Sequence, residues 1–129
     1  VRRGDAQRGR KAHASGRWAE RLCVLSLLLR GYAILGRGVV TGRGTGAGEI
    51  DIIARRGKVL AFIEVKKRGD FAAAAQALSA VQQQRLIRGA EVFLARHPAL
   101  AALEPRFDLM LAVPGRWPRH MKDAWRIGG

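Results

Sequence analysis

Residues Gly48 to Arg68, GEIDIIARRGKVLAFIEVKKR, constrain the fold more than any other stretch. Two short apolar segments flank a glycine, and each carries charge at the end remote from that glycine: Glu49 and Asp51 in the first, Glu64 and Lys66 in the second. Alternate side chains of a strand share a face, so Glu49 lies with Asp51 and Glu64 with Lys66. Gly57 and Lys58 read as a two-residue hairpin loop, because glycine enters the positive-φ region that such turns require. That loop fixes a register with Arg56 opposite Val59, Ile53 opposite Phe62 and Asp51 opposite Glu64. Opposed residues on antiparallel strands hold their Cβ atoms roughly 4.5–5.5 Å apart, so two carboxylates meet and repel unless a proton or cation lies between them. A divalent ion bound through oxygen is the natural occupant. A loop one residue longer or shorter would send Asp51 and Glu64 to opposite faces.

Away from the acids the hairpin is apolar on both sides. Ile53, Leu60 and Phe62 are expected on one face, and Ile50, Ile52, Val59, Ile63 and Val65 on the other. Such strands belong in the middle of a sheet covered by helices on both faces. The preceding segment, Gly16 to Arg30, spaces Trp18, Leu22, Leu25 and Leu29 as one face of a helix, widened by Ala19, Cys23, Ser26 and Leu27. Glu20 on this helix reads from spacing alone as a surface partner of Arg17 or Arg21. Gly31 to Val40 reads as a strand whose glycines point to a bulge or a sheet edge. Thr41 to Gly48 is a glycine-rich loop in which Glu49 follows where a phosphate loop needs lysine, which argues against nucleotide binding there. Arg43 in that loop is a candidate contact for a nucleic-acid backbone.

Beyond the hairpin the alanine-, glutamine- and leucine-rich run predicts one long helix from about Gln76 to Ala95, after an irregular or loosely helical FAAAA segment, with Pro98 ending it. Arg106 to Val113 reads as a further strand, closed by Pro114 and Gly115. Residues 114–129 form a basic tail whose Trp117 and Trp125 are expected to pack on the body. Asp108 and Asp123 look incidental, and His13, His97 and His120 suggest no histidine metal site. Val1 to Ser15 has little to bury and reads as a flexible basic arm, leaving 16–113 as the domain.

At 129 residues, one domain with a real core fits. The formal charge of +14 needs anions nearby; it reflects either a nucleic-acid partner or an arginine-rich proteome. The single cysteine, Cys23, excludes an internal disulfide and a cysteine zinc cluster, and its apolar neighbours make it a core thiol. No run approaches the roughly 20 apolar residues of a membrane span, and the start lacks the apolar centre of a secretory signal, so a cytoplasmic protein without membrane contact is expected.

Taken together, GEIDIIA, FIEVKKR, GRWAE, GYAIL and RFDLMLAV resemble, in order and spacing, the YraN family of small bacterial proteins, which is placed in the PD-(D/E)XK, or restriction-endonuclease-like, nuclease superfamily. The resemblance spans roughly Gly16 to Val113. It implies an α/β fold with an αβββαβ core, a central mixed sheet flanked by helices. It implies Asp51, Glu64 and Lys66 as catalytic residues of a metal-dependent nuclease acting on DNA, with repair or recombination as the setting. Mg²⁺ or Mn²⁺ would be held by Asp51, Glu64, the Val65 carbonyl and Glu20, the helix acid of the family. Lys67, Arg68, Arg43 and Gln82 become candidate nucleic-acid contacts. Ala19, Gly38, Lys67 and Gln82 stand where the family commonly has Gly, Asn, Thr and Lys, departures that touch substrate placement more than chemistry. A module that binds branched or single-stranded DNA without cutting it, and an adaptor whose acids only form salt bridges, are the alternatives.

Overall fold

The computed structural model describes residues 17–41, 48–67 and 70–126. Its elements are a helix over residues 17–29 (α1), strands Ala33–Val40 (β1), Glu49–Arg56 (β2) and Val59–Lys66 (β3), helices Phe71–Ala77 (α2) and Ala80–Arg96 (α3), a short 3-10 turn Pro98–Leu100, and strands Glu104–Leu111 (β4) and Arg119–Trp125 (β5). The hairpin forms with the expected register: Arg56 faces Val59 and Ile53 faces Phe62. Gly57 takes φ 60°, and Lys58 is not among the positive-φ residues, which makes the loop a type II′ turn whose twist suits the flanking strands.

One sheet of order β1-β2-β3-β4-β5 results. β1, β2 and β3 form an antiparallel meander, and β4 joins β3 in parallel. A parallel join needs a crossover, which α2 and α3 supply. The fold is therefore α/β, with the αβββαβ order and a mixed sheet flanked by helices. β1 is both an edge strand and irregular, its register slipping between Ile34 and Gly36. Among the described residues, no helix is long and apolar enough to cross a membrane.

The crossover is two helices rather than one. Asp70 caps α2 by accepting from the N–H groups of Ala72 and Ala73 at 2.7 and 3.2 Å, so of the irregular and loosely helical alternatives the alanine run takes the helical one, as a regular helix. Ser79 then starts a second helix, its backbone extended and its Oγ accepting from Gln82 N–H at 3.1 Å. A serine with that geometry is a strong helix start, and it interrupts a run that propensity alone would join.

Each face of the sheet has its own core. Ile53, Leu60, Phe62, Phe107 and Leu109 pack with Leu86, Ile87, Ala90 and Phe93 of α3. Ile52, Ala54, Ala61, Ile63 and Met110 pack with Ala19, Cys23 and Leu27 of α1. Two expectations are corrected here. Ile50 joins the α3 side with Ile53, although Ile52 lies on the α1 side; regular β2–β3 pairing ends at Ile52–Ile63, and simple alternation stops with it. On α1 the buried face is Ala19, Cys23, Ser26 and Leu27, whereas Trp18, Leu25 and Leu29 are 42%, 47% and 70% exposed. The helix packs on the alanine-bearing face of β2 and β3 through Ala19, Cys23 and Leu27. Leucines occupy both sides of α1, so periodicity alone favoured the wrong one.

The tail contributes a strand. β5 pairs antiparallel with β4, with a register shift between Phe107 and Leu109. Trp125 is buried and stacks on Phe107 with centroids 5.6 Å apart, while Trp117 remains 49% exposed.

Candidate active site

Where β2–β3 pairing ends, the Asp51 carboxylate takes over the next backbone donor, accepting from Val65 N–H at 2.8 Å. This bond crosses the hairpin and fixes Asp51 beside Glu64. Lys66, two residues along the same strand face, places Nζ 3.4 Å from Glu64 Oε1. All three sit in one partly enclosed corner: Glu64 is 8% exposed, and the Lys66 side chain 20%.

The two acids disturb each other in the way opposed carboxylates must. Burial pushes Glu64 up to about 7, the charge of Asp51 adds to this, and Lys66 works against it. Burial also raises Asp51, against the Val65 N–H bond that favours its ionised form, while the charges of Glu20 and Glu49 raise it further. The contact between the two carboxyls favours the protonated form of Glu64 and the ionised form of Asp51. The same environment makes Cys23 inert: burial, then Asp51 and Glu20, push its thiol up to about 12, far from the range of a reactive thiolate.

A cavity of about 460 Å³ opens on the acids, with Glu49, Asp51 and Glu64 on the sheet side and Ser79, Gln82 and Arg85 on the α3 side. Its α3 wall is drawn close by glycines. Gly48 N–H donates to the Arg85 carbonyl at 3.0 Å, and a Cβ added at Gly89 would lie 3.0 Å from the Gly48 carbonyl oxygen and 3.1 Å from Thr41 Oγ1. Gly89→Val is expected to force α3 away from the start of β2 and to cost about 1–3 kcal/mol, read by urea unfolding; a variant as stable as wild type would show that this approach is not needed.

Asp51, Glu64 and Lys66 are thus brought together, and Gln82 borders their cavity. Glu20 is near enough to act electrostatically on Asp51, but its ion pair is with Arg37 of β1 at 3.5 Å, not with Arg17 or Arg21. Among the described residues, no three His, Cys, Asp or Glu side chains converge as a metal-ligand set. The donors present still suit a hard cation: two mutually repelling carboxylates, one of which has an oxygen already engaged by a backbone N–H. Mg²⁺ commonly takes only one or two protein carboxylates, with water and phosphate oxygens completing its shell. Lys67 is exposed just beyond β3. Arg43 and Arg68 lie outside the described residues.

Reading the sequence missed Arg85 and Ser79 as cavity residues, although an arginine interrupting the apolar row of α3 was the available signal. It also took Asp108 as incidental, which the structure corrects. Asp108 is fully buried and accepts four hydrogen bonds: from Arg106 Nε and Nη2 at 2.9 and 2.8 Å, from His120 Nε2 at 2.8 Å, and from Asp123 N–H at 2.9 Å. Burial pushes this carboxyl up, but the bonds from His120, Arg106 and Asp123 N–H outweigh it and hold it below the usual carboxylate range. Arg106 also donates to the Tyr32 hydroxyl at 2.9 Å. Asp123 has φ 57° at the β5 irregularity, a conformation uncommon for a side-chain-bearing residue.

The hairpin, the α1 acid and the crossover all lie within residues 19–112, which match the model of the uncharacterised protein family UPF0102. Similar proteins align over nearly their whole length. The UPF0102 protein of Paramagnetospirillum magneticum is 51% identical over 90% of this chain and 90% of its own. That of Parvibaculum lavamentivorans is 50% identical over 98% and 92%, and that of Maricaulis maris 45% identical over 92% and 91%. By both the family model and this breadth of identity, the chain belongs to the UPF0102, or YraN-like, family.

Proposed function

We propose that this protein is a metal-dependent nuclease of the PD-(D/E)XK type, hydrolysing phosphodiester bonds of DNA. The observation that carries the reading is the bond from Val65 N–H to the Asp51 carboxylate at 2.8 Å, which holds Asp51 beside Glu64 just beyond the paired part of the hairpin, with the Lys66 ammonium 3.4 Å from Glu64. A pair of raised carboxyls at a cavity mouth is an arrangement that catalytic sites use and that a fold does not need for stability.

In this reading Asp51 and Glu64 hold Mg²⁺ or Mn²⁺, with the Val65 carbonyl as a further ligand and Glu20 acting through water. When bound, the ion supplies Lewis acidity toward a phosphoryl oxygen and lowers the pKa of attacking water. Lys66 orients that water and offsets charge developing on the phosphate. Arg85 and Gln82, on the opposite wall of the cavity, face the phosphate from α3. The +14 charge of the chain draws in a polyanion.

The test is cleavage of labelled DNA with Mg²⁺ or Mn²⁺ by wild type, Asp51→Ala and Lys66→Ala. Each variant is expected to lose about a hundredfold or more in rate. Cleavage unchanged in both would end the catalytic assignment. The pairing of Glu20 with Arg37 and the lack of a third converging acid among the described residues favour one other reading, a non-catalytic DNA-binding module. Salt-dependent binding without cleavage by wild type would support it.

A further inference from the structure

We propose that the outer face of α3 is the track along which an unpaired strand leaves the acid cavity, with Val81, Gln84, Arg85 and Arg88 as its contacts. What happens inside the cavity rests on the nuclease reading above; the track is a binding surface with its own test. A second cavity of about 380 Å³ lies against the first, lined by Ala80, Val81, Gln84, Arg85 and Arg88. Val81 and Arg85 line both cavities, so the two meet across the ridge these side chains form.

The ridge belongs to a single helical stripe. Residues 81, 84, 85 and 88 follow the spacing that places side chains on one helix face, and at 1.5 Å per residue the stripe runs about 10 Å from Val81 to Arg88. It carries two arginines and no acid. Val81 is 63% exposed, unusual for a valine facing nothing but water. Its isopropyl group, Ala80 and the methylene stems of Gln84, Arg85 and Arg88 give the cavity apolar walls beneath cationic heads, as long basic side chains do when their stems lie along apolar surface.

That chemistry selects the form of the strand. A duplex keeps its base faces stacked inside and offers this surface phosphates, sugars and groove edges, with no base face to lie in the apolar cavity. An unpaired nucleotide places its base against Val81 and under an arginine plane, which stacks on planar rings, while its phosphates meet the guanidinium groups. Combining a cationic path with faces that accept bases is how sequence-tolerant single-strand binding is built. The direction follows from the shared ridge, since a strand whose phosphate lies at Asp51 and Glu64 reaches the second cavity by passing Arg85.

The experiment measures binding alone. Fluorescence anisotropy in EDTA, where cleavage does not occur, compares a labelled single strand of roughly 16 nucleotides with a blunt duplex of the same sequence. Val81→Asp and Arg88→Ala are the variants. An acid in the first turn of a helix favours the helix dipole, so Val81→Asp keeps the fold, as circular dichroism would verify. Val81→Asp is expected to weaken single-strand binding about tenfold, and Arg88→Ala to weaken it severalfold while lowering the salt slope by about 0.7; duplex binding should stay within about twofold of wild type. Single-strand affinity unchanged in both variants would overturn the track, and so would an equal loss for duplex, which would make this face a general polyanion patch. Because no step of the assay requires hydrolysis, a loss confined to the single strand supports the track even if Asp51→Ala leaves cleavage unaltered and the nuclease reading falls.

Discussion

Asp108→Ala is expected to destabilise the folded chain by about 3–5 kcal/mol, the largest effect of any single substitution considered. The carboxylate is fully buried and is the acceptor for two arginine nitrogens, the His120 ring and the Asp123 N–H. Removing it does not remove the donors. The Arg106 side chain is 19% exposed and retains access to water, but the His120 side chain is 1% exposed, and its Nδ1 already lacks a partner among the described residues. The imidazole would then be buried with neither nitrogen bonded, and Asp123 would hold its positive φ without the bond that fixes it. Since, among the described residues, β5 joins the sheet only through β4, loosening of the strand should follow. Asp108 is held below the usual carboxylate range, so its stabilisation is present above the unfolded carboxyl value and is lost as pH falls through the lower folded value. Urea unfolding should therefore show the full gap between wild type and variant at pH 7 and a narrowing gap toward acid. Equal stability at pH 7 would refute a structural role for this cluster.

Glu64→Gln should act in the opposite direction. Glu64 rises from 4.5 to about 7 in the fold, so between those values the folded chain binds the proton more tightly than the unfolded one, and stability falls as pH climbs through that window. A shift of this size corresponds to about 3 kcal/mol once the group is forced to ionise. Without metal at pH 8, the neutral amide variant should be more stable than wild type by up to about 3 kcal/mol, and the difference should vanish near pH 4.5. Adding Mg²⁺ or Mn²⁺ at pH 8 should raise the melting temperature of wild type, because a cation takes the place of the missing proton, and should raise that of the variant much less. Thermal unfolding at both pH values, with and without metal, checks the pair of expectations. A wild type as stable as the variant at pH 8 would show that the acids are not in conflict, and an equal metal response would show that Glu64 is not a ligand.

These two carboxylates differ in how far they could be read from the residues. Glu64 and Asp51 were legible as neighbours because a two-residue turn at Gly57 leaves one register open and brings both ends of the hairpin together, although pairing stops one residue short of them and the Asp51 bond to Val65 N–H completes the contact. Asp108 acquires its role from Tyr32, His120 and Asp123, which lie 76, 12 and 15 residues away along the chain, and from an irregular strand that no periodicity announces. Glu20 was legible as an acid near the site only through family resemblance. Its partner, Arg37, sits on β1, and the pairing depends on how α1 is set against the sheet. The same orientation left Trp18, Leu25 and Leu29 outward, since leucines mark both faces of α1 and only the packing of Ala19, Cys23 and Leu27 with Ala54 and Ala61 chooses between them.

The sequence by itself determined the hairpin and its register up to Ile52 and Ile63, because strand alternation and turn geometry act over a few residues; beyond that point the bond from Val65 N–H to the Asp51 carboxylate, not the register, completes the meeting of Asp51, Glu64 and Lys66. The order strand, helical crossover, strand was legible in the same way, while the parallel join of β3 to β4 was expected only through the family resemblance and is what the structure shows. The tertiary structure alone decided which face of α1 is buried, that the tail becomes β5, that Asp108 anchors it, and that α3 brings Arg85 and Gln82 to the wall facing the acids. Each of those depends on packing between elements distant in the chain, where the deciding quantity is the fit of one surface against another.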